Sequence, residues 1–406
     1  MSSYQQIKPP EVRESELPLR DTACNVSDCD AGHAMMRALS QEMANPERPT
    51  TRSRGSDDMK IGRLTAASVS IASMLALTAC STVGGTTGDN SASNTGSAAG
   101  DSGKTMVTVV KVKGIAWFDR MDVGVKEWGA DNGYDTRTEG GTDVAPEKQI
   151  QIIQDLIAQK PVAITVVPNS PEALSAVLEQ ARAQGIKVVS HEATGIKNVD
   201  VDIEAFDNAS YGVDIMKNIG ECTGGTGKYV QFVGGLTAKT HMEWVEAAYD
   251  YQQKNFPGME RVETPIESTD NETAAYEKAK EVLGKYPDIK AFQGSAGNDV
   301  PGIARAIEEA GLSDQVCVMG TSIPSASAKY LATGSIDKIF FWDPALAGKA
   351  QLQIAKILAD GGTITEGTDL GIEGYNNLHK LDGYDNVWVG NAQIAADAEQ
   401  AKNYDF

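Results

Sequence analysis

Side chains suited to holding a small hydroxylated molecule recur at one kind of place in this sequence, directly after short apolar runs. Lys111, Trp117, Phe118 and Asp119 follow the run 107–110. Asn169 follows 163–167, and His191 with Glu192 follows 186–189. Asp207 stands at the end of the stretch 199–208. Farther on, His241 closes the polar segment 237–241, Ser295, Asn298 and Asp299 follow 291–293, and Trp342 with Asp343 follows 339–341. Carboxylate, amide, ammonium and imidazole groups satisfy hydroxyls, while an indole or phenyl ring packs against the C–H face of a sugar ring. The mixture suits binding of a polyhydroxy compound and contains no obvious reaction centre.

Other chemistries fail on spacing. His191-Glu192 begins as a zinc-protease helix would, but position 195 is Gly where the second histidine belongs. Cys24, Cys29 and His33 lack a fourth metal ligand nearby. Gly103-Lys104-Thr105 has Ala98 where a phosphate loop needs its first glycine. No nucleophile elbow or dinucleotide glycine fingerprint is present. The expectation is therefore no catalytic residue, no metal and no cofactor.

The elements that must position these residues alternate between strand and helix. Apolar runs such as Ala163-Ile164-Thr165-Val166-Val167 read as buried strands, and Leu174, Val177, Leu178 and Ala181 give the i, i+3, i+4, i+7 face of a helix that Gly185 stops. Met121, Val125 and Trp128 mark an earlier helix face, Ile150, Ile153 and Ile157 a second, and Ile303, Ile307 and Ala310 a later one. Strand–helix alternation of this length predicts α/β architecture with doubly wound parallel sheets. The rhythm breaks between Val189 and Tyr229, which suits a crossover from one sheet to another. Two α/β lobes are expected, with ligand binding beyond the carboxyl ends of the strands, in the cleft between them.

The segments ahead of the lobes point to export. The stretch 59–80 opens with Lys60 and Arg63, continues as an uncharged apolar run and ends in Leu77-Thr78-Ala79-Cys80. A basic start, a short apolar core and small residues before the cut mark a secretory signal, and the run is short for a membrane span. The ending looks like a bacterial lipobox, which makes Cys80 the expected lipidated N-terminus. Residues 1–58 are polar and proline-containing without a hydrophobic period, which reads as disorder or as a start placed too far upstream. Residues 81–104 are a Gly/Ser-rich tether. Cys222 and Cys317 are the two cysteines left for the lobes, and either a bond or two separate thiols is compatible with the sequence. The 406 residues carry a formal charge of -20, which disfavours nucleic acid as a partner.

From residue 106 onward the chain resembles the type I periplasmic sugar-binding proteins, the substrate-binding components of ABC importers, and within them the rhamnose and autoinducer-2 branch. The stretches that carry the likeness are VVKVKGIAWF, VVPNSPEAL, KVVSHEA, GSAGNDVPG, GTSIPS and FFWDPALAGKA, with the terminal Asn403-Tyr404-Asp405-Phe406. The resemblance implies a monomeric binder with a three-segment hinge, one lobe from 105–207 plus 344–372 and the other from 208–343 plus 373–406. It also implies a permease and, through it, an ATPase as partners, and a place on the outer face of the membrane. Autoinducer-2 binders hold their ligand with a lysine that Lys111 matches. They have an aspartate at the position of Glu192, an Asp-Gln pair at Thr240-His241, and a proline and an alanine at Ser295 and Gly297. One matching position among these implies a rewritten pocket.

The reading is thus a lipid-anchored solute-binding protein for a monosaccharide or sugar alcohol. Autoinducer-2 uptake or sensing is one alternative, and an exported enzyme acting on sugars is another. A sugar-responsive transcription regulator would need a basic helix-turn-helix segment where the signal and tether stand.

Overall fold

The computed structural model describes residues 104–406. The expectations for the signal, for Cys80, for the tether up to residue 103 and for the cysteines near the start lie outside the described residues.

The first sheet opens with strand β1 (Thr105–Val109), β2 (Asp135–Glu139), β3 (Ala163–Val166), β4 (Lys187–His191) and β5 (Val201–Glu204). Helices α1 (Ala116–Asn132), α2 (Pro146–Gln159) and α3 (Pro171–Ala183) connect the first four of these strands. The chain then enters a second unit. There α4 (Asn208–Cys222), β6 (Thr226–Val233), α5 (Lys239–Asn255), β7 (Gly258–Arg261), β8 (Ile266–Glu267), α6 (Glu272–Lys285) and β9 (Ile289–Gly294) come first. They are followed by α7 (Asp299–Ala310), β10 (Cys317–Thr321), α8 (Pro324–Thr333) and β11 (Lys338–Phe341). Helix α9 (Pro344–Ala359) returns to pack on α1, β3 and β4. The strands β12 (His379–Lys380), β13 (Val387–Val389) and β14 (Ile394–Ala396) complete the fold.

The first sheet runs in the order β12-β13-β5-β4-β3-β1-β2, and the second in the order β14-β11-β10-β9-β6-β7, with β8 also on β6. All pairings are parallel except β12 on β13 and β14 on β11. Two doubly wound lobes, each with helices on both faces, are therefore present as the alternation predicts. The C-terminal segment departs from expectation. The resemblance implies that residues 373–406 belong whole to the second lobe, yet β13 pairs with β5 in the first sheet and only β14 joins the second. The chain crosses between sheets three times, after β5, after β11 and between β13 and β14.

Local chemistry accounts for the elements. Strands β1 and β3 are buried almost throughout, as central parallel strands covered on both faces must be. Side chains cap several helices: Ser170 accepts from the Ala173 N–H, Asp207 from Ser210 and Asn271 from Ala274. Helix α3 buries all of Leu174, Val177, Leu178 and Ala181, and Gly185 takes the left-handed φ of 81° that ends its turn. On α7 the apolar face is Ile303, Ala306 and Ile307, while Ala310 is exposed rather than buried. Helix pairs in both lobes come into van der Waals approach at glycines. A Cβ on Gly124 would land on the Ala345 carbonyl, and one on Gly212 on the Trp244 carbonyl. A disulfide joins Cys222 at the end of α4 to Cys317 at the start of β10, so the covalent staple lies within the second lobe.

Candidate functional site

The carboxyl ends of both sheets face a single cavity. Lys111 stands just beyond β1, and its ammonium is 2.5 Å from Glu192 Oε2, just beyond β4. The pair is almost fully enclosed, at 3% and 4% exposure, and such a pair offsets its desolvation only when geometry is close and both partners stay. Glu192 has φ 56°, an uncommon left-handed backbone for glutamate. Backbone held in sparsely populated regions clusters at ligand clamps.

His241, in the first turn of α5, approaches from the second lobe. Its Nδ1 accepts the Gly234 backbone N–H at 3.1 Å, so the neutral ring carries its proton on Nε2. That nitrogen is 3.4 Å from Lys111 Nζ and 4.0 Å from Glu192 Oε2. Burial, reinforced by the Lys111 charge, holds the imidazole well below the ordinary histidine range, which keeps it a neutral donor. His191 is also buried and held below the usual range, chiefly by burial. Its Nδ1 lies 2.6 Å from the Ile203 carbonyl, which makes Nδ1–H the donor and leaves Nε2 3.9 Å from Glu192 Oε1, with the ring edge to face with Trp342 at 5.8 Å between centroids.

Two indoles form the apolar wall. Trp117 from α1 and Trp342 from the second crossing meet edge to face with centroids 4.6 Å apart. The cleft is drawn shut around them. Its free volume is about 20 Å³, room for about one water molecule. A small-molecule pocket spans roughly 300 Å³ or more. Thr237 of the second lobe also donates to the Asn169 carbonyl of the first at 3.0 Å. Admission of anything larger than water requires the two rims to separate.

Of the residues singled out in the sequence, Lys111, Trp117, Phe118, Glu192, His241, Ser295 and Trp342 line this cavity. The others are placed elsewhere or turned to other partners. Asp119 is exposed on α1. Asn169 donates from its side chain to the Lys111 carbonyl at 3.0 Å and so holds the β1 end. Asp207 caps α4. Asn298 donates to the Asp270 carbonyl at 3.0 Å. Asp299 accepts the backbone N–H groups of Ser295 and Ala296 at 3.0 and 2.8 Å and is fully buried, with its carboxyl pushed up to about 7 by desolvation. Asp343 accepts from Ala345 N as the cap of α9 and pairs bidentately with Arg120 at 2.9 and 2.6 Å, which takes it out of the cavity. The expectation that Asp343 faces the ligand gives way because helix capping and a guanidinium use both its oxygens.

The rest of the lining is Gly297, which entered through the resemblance, Thr321 at the end of β10, and Ile115, Trp244 and Asp270, which the sequence reading did not offer as ligand contacts. Asp270 lies between β8 and α6, where Ser268-Thr-Asp-Asn271 reads as a helix cap in the sequence. Asn271 is the cap, which leaves Asp270 for the cavity. Its position three residues beyond a strand end was the available signal.

Residues 106–363 match the family model described as periplasmic binding protein domain. The chain belongs to that family, and its two doubly wound lobes are the type I sugar-binding architecture of the resemblance. Solved structures of the same fold include an ABC transporter solute binding protein from Clostridium phytofermentas with bound L-rhamnose, 22% identical, TM-score 0.69, covering 74% of this chain and 99% of that one. LsrB from Clostridium saccharobutylicum in complex with AI-2 is 18% identical, TM-score 0.68, over 74% of this chain and 100% of that one. GanP, a glucose-galactose binding protein from Geobacillus stearothermophilus, is 18% identical, TM-score 0.63, over 73% and 98%. Among the described residues no helix is long and apolar enough to cross a membrane.

Proposed function

We propose that this protein is the solute-binding component of an ABC importer and holds a monosaccharide or sugar alcohol between its lobes. The observation that carries the reading is the cavity itself. A buried Lys111–Glu192 pair and a neutral His241 stand beside the paired indoles Trp117 and Trp342 at the carboxyl ends of two facing sheets. Hydroxyls take the charged groups, and the C–H face of the ring takes the indoles. Binding by both rims favours the shut form over the open one, and only that differential affinity can drive closure. A membrane permease reads the shut form, and its ATPase, on another chain, powers import. The protein works as a monomer at the outer face of the membrane, held by a lipid on Cys80 and a Gly/Ser-rich tether. It performs no chemistry on its ligand.

A thermal-shift screen of monosaccharides and polyols tests the reading, because a ligand that binds only the native state raises its melting temperature. The expected result is a shift of several degrees with one pentose, deoxyhexose or related polyol, and the compound recovered unchanged. A shift with AI-2 alone moves the protein to the signalling alternative, and turnover of the ligand moves it to the enzymes. Intact mass of the membrane-associated protein checks the anchor. An N-terminus upstream of Cys80 contradicts it.

A further inference from the structure

Resting on the sugar-binding reading, we infer that Asp270 is the second lobe's specificity-determining acceptor, binding ligand hydroxyls opposite the Lys111–Glu192 pair of the first lobe. The carboxylate lines the cavity and the residue is 8% exposed, yet among the described residues no donor reaches it within hydrogen-bond distance. The carboxylate therefore faces the cavity, where a ligand and not the protein can supply its donors.

The backbone around Asp270 is held for this orientation. Thr269 and Asp270 are consecutive left-handed residues, with φ 58° and 52°. Neither is glycine, so the turn carries strain that the surroundings must impose. Asn298 donates to the Asp270 carbonyl, Asn271 N donates to the Ser268 carbonyl, and the Ser268 hydroxyl donates to the Val233 carbonyl. Gly234 leaves the space the carboxylate occupies, since a Cβ there would lie 2.5 Å from Asp270 Oδ2. A strained turn and a glycine thus hold a charged group where it gains no intramolecular partner.

The chemistry of the cavity says what would satisfy it. Lys111 is already matched by Glu192, so the cationic group of the first lobe is taken. His241 from α5 is neutral, and Asp299 from α7 faces its own backbone donors. Ser295 Oγ and Trp342 Nε1 are fully buried without partners, and both residues line the same cavity. A ligand that presents hydroxyls to Asp270 and Ser295, and a ring or hydroxyl oxygen to the Trp342 N–H, satisfies all three together. This selects a compound with adjacent hydroxyls on the face turned to the second lobe. Burial pushes the free carboxyl up to about 6, with Lys111 opposing and Glu192 adding to the rise. Hydroxyl donors favour the ionised form, so binding drives a proton off Asp270 in mildly acidic solution.

The test uses the full chain and its Asp270→Asn variant, which keeps shape and removes charge. L-rhamnose, D-arabinose, D-glucose and galactitol are screened by melting temperature, and the strongest binder is titrated calorimetrically at pH 5, 6.5 and 8. The wild type is expected to bind about tenfold more weakly at pH 5 than at pH 8, as follows when only the ionised form of a group near 6 binds. Asp270→Asn is expected to bind at least tenfold more weakly than wild type at pH 8, with the pH dependence flattened. Without ligand it is expected to melt at or above the wild-type temperature at pH 8, because an unpaired buried charge has gone. Binding within twofold of wild type, a pH dependence that survives the substitution, or an unliganded variant that melts several degrees lower each overturns the inference. If none of the four compounds shifts the wild type, the sugar reading has lost its support, and the unliganded comparison still decides whether Asp270 serves the fold or a ligand.

Discussion

The two rims of the cleft solve the same problem in opposite ways. On the first lobe, Lys111 and Glu192 neutralise each other at 2.5 Å before any ligand arrives. On the second, Asp270, Ser295 and Trp342 present polar atoms that nothing in the lobe satisfies. The first rim is therefore preorganised at little further expense, while the second holds unmet hydrogen-bonding capacity that a ligand can relieve. A binder built this way gains affinity from the second rim only when the rims are together. The covalent staple sits on the same side of the comparison: Cys222–Cys317 stiffens the lobe that carries the unsatisfied groups, and no other cysteine follows Cys80 in the sequence.

The comparison breaks first at the paired rim. Lys111→Met leaves Glu192 buried without a counter-charge, and removal of one partner of such a pair costs about 3–5 kcal/mol. Denaturant unfolding should show that loss, whereas Glu192→Gln, which keeps shape and leaves Lys111 an acceptor, should lose less. Equal losses in the two variants would mean that the pair is not the unit described here. Next in size is the staple. Cys222→Ser with Cys317→Ser opens a loop with a sequence separation of 95 residues and is expected to lower stability by about 2–4 kcal/mol. Both cysteines lie away from the cavity lining, so affinity should stay within about twofold by calorimetry. A large loss of binding would tie the staple to the site.

A smaller effect sharpens the contrast between the walls. Trp117→Ala removes a stacking face supplied by the first lobe, and Trp342→Ala removes both a ring and an unpartnered N–H. Each should weaken sugar binding by about 1–3 kcal/mol, with Trp342→Ala the more damaging. The reverse ranking would place the hydrogen-bonding demand on the first rim. The smallest effect is a pH slope. Asp270 and Asp299 both have folded carboxyls raised above the ordinary value of 3.8, to about 6 and about 7, by burial. The folded state therefore holds protons that the unfolded state has released, and these two groups make stability fall as pH rises from about 4 to about 7. Asp299→Asn keeps one acceptor for the Ser295 and Ala296 N–H groups and removes a titrating site, so the slope of melting temperature against pH in that window should flatten. An unchanged slope would show that Asp299 stays ionised.

Much of the architecture was readable because central parallel strands are buried on both faces and announce themselves as unbroken apolar runs. Strand β2, with the sequence DTRTE, lies at a sheet edge and carries no such signal. The strands β12 and β13 are two and three residues long, and their pairing with the first sheet depends on tertiary contacts, which no local sequence pattern reveals. Within the site, a position just past a strand end identified Lys111, Glu192, His241 and Ser295 as candidates. The same rule overreached at Asp207, Asp299 and Asp343, where an aspartate at a helix start serves backbone N–H groups instead. It missed Asp270, because that residue sits beside the true cap and resembles one.

Closure of the two rims around a ligand is the central step of the proposed function. Small-angle scattering of the wild-type protein, measured without and then with a saturating concentration of the compound found by thermal shift, tests it directly. The account predicts a smaller radius of gyration with ligand and a profile that matches the shut structure. An unchanged profile at saturation, with binding confirmed in the same sample, would contradict the two-rim mechanism.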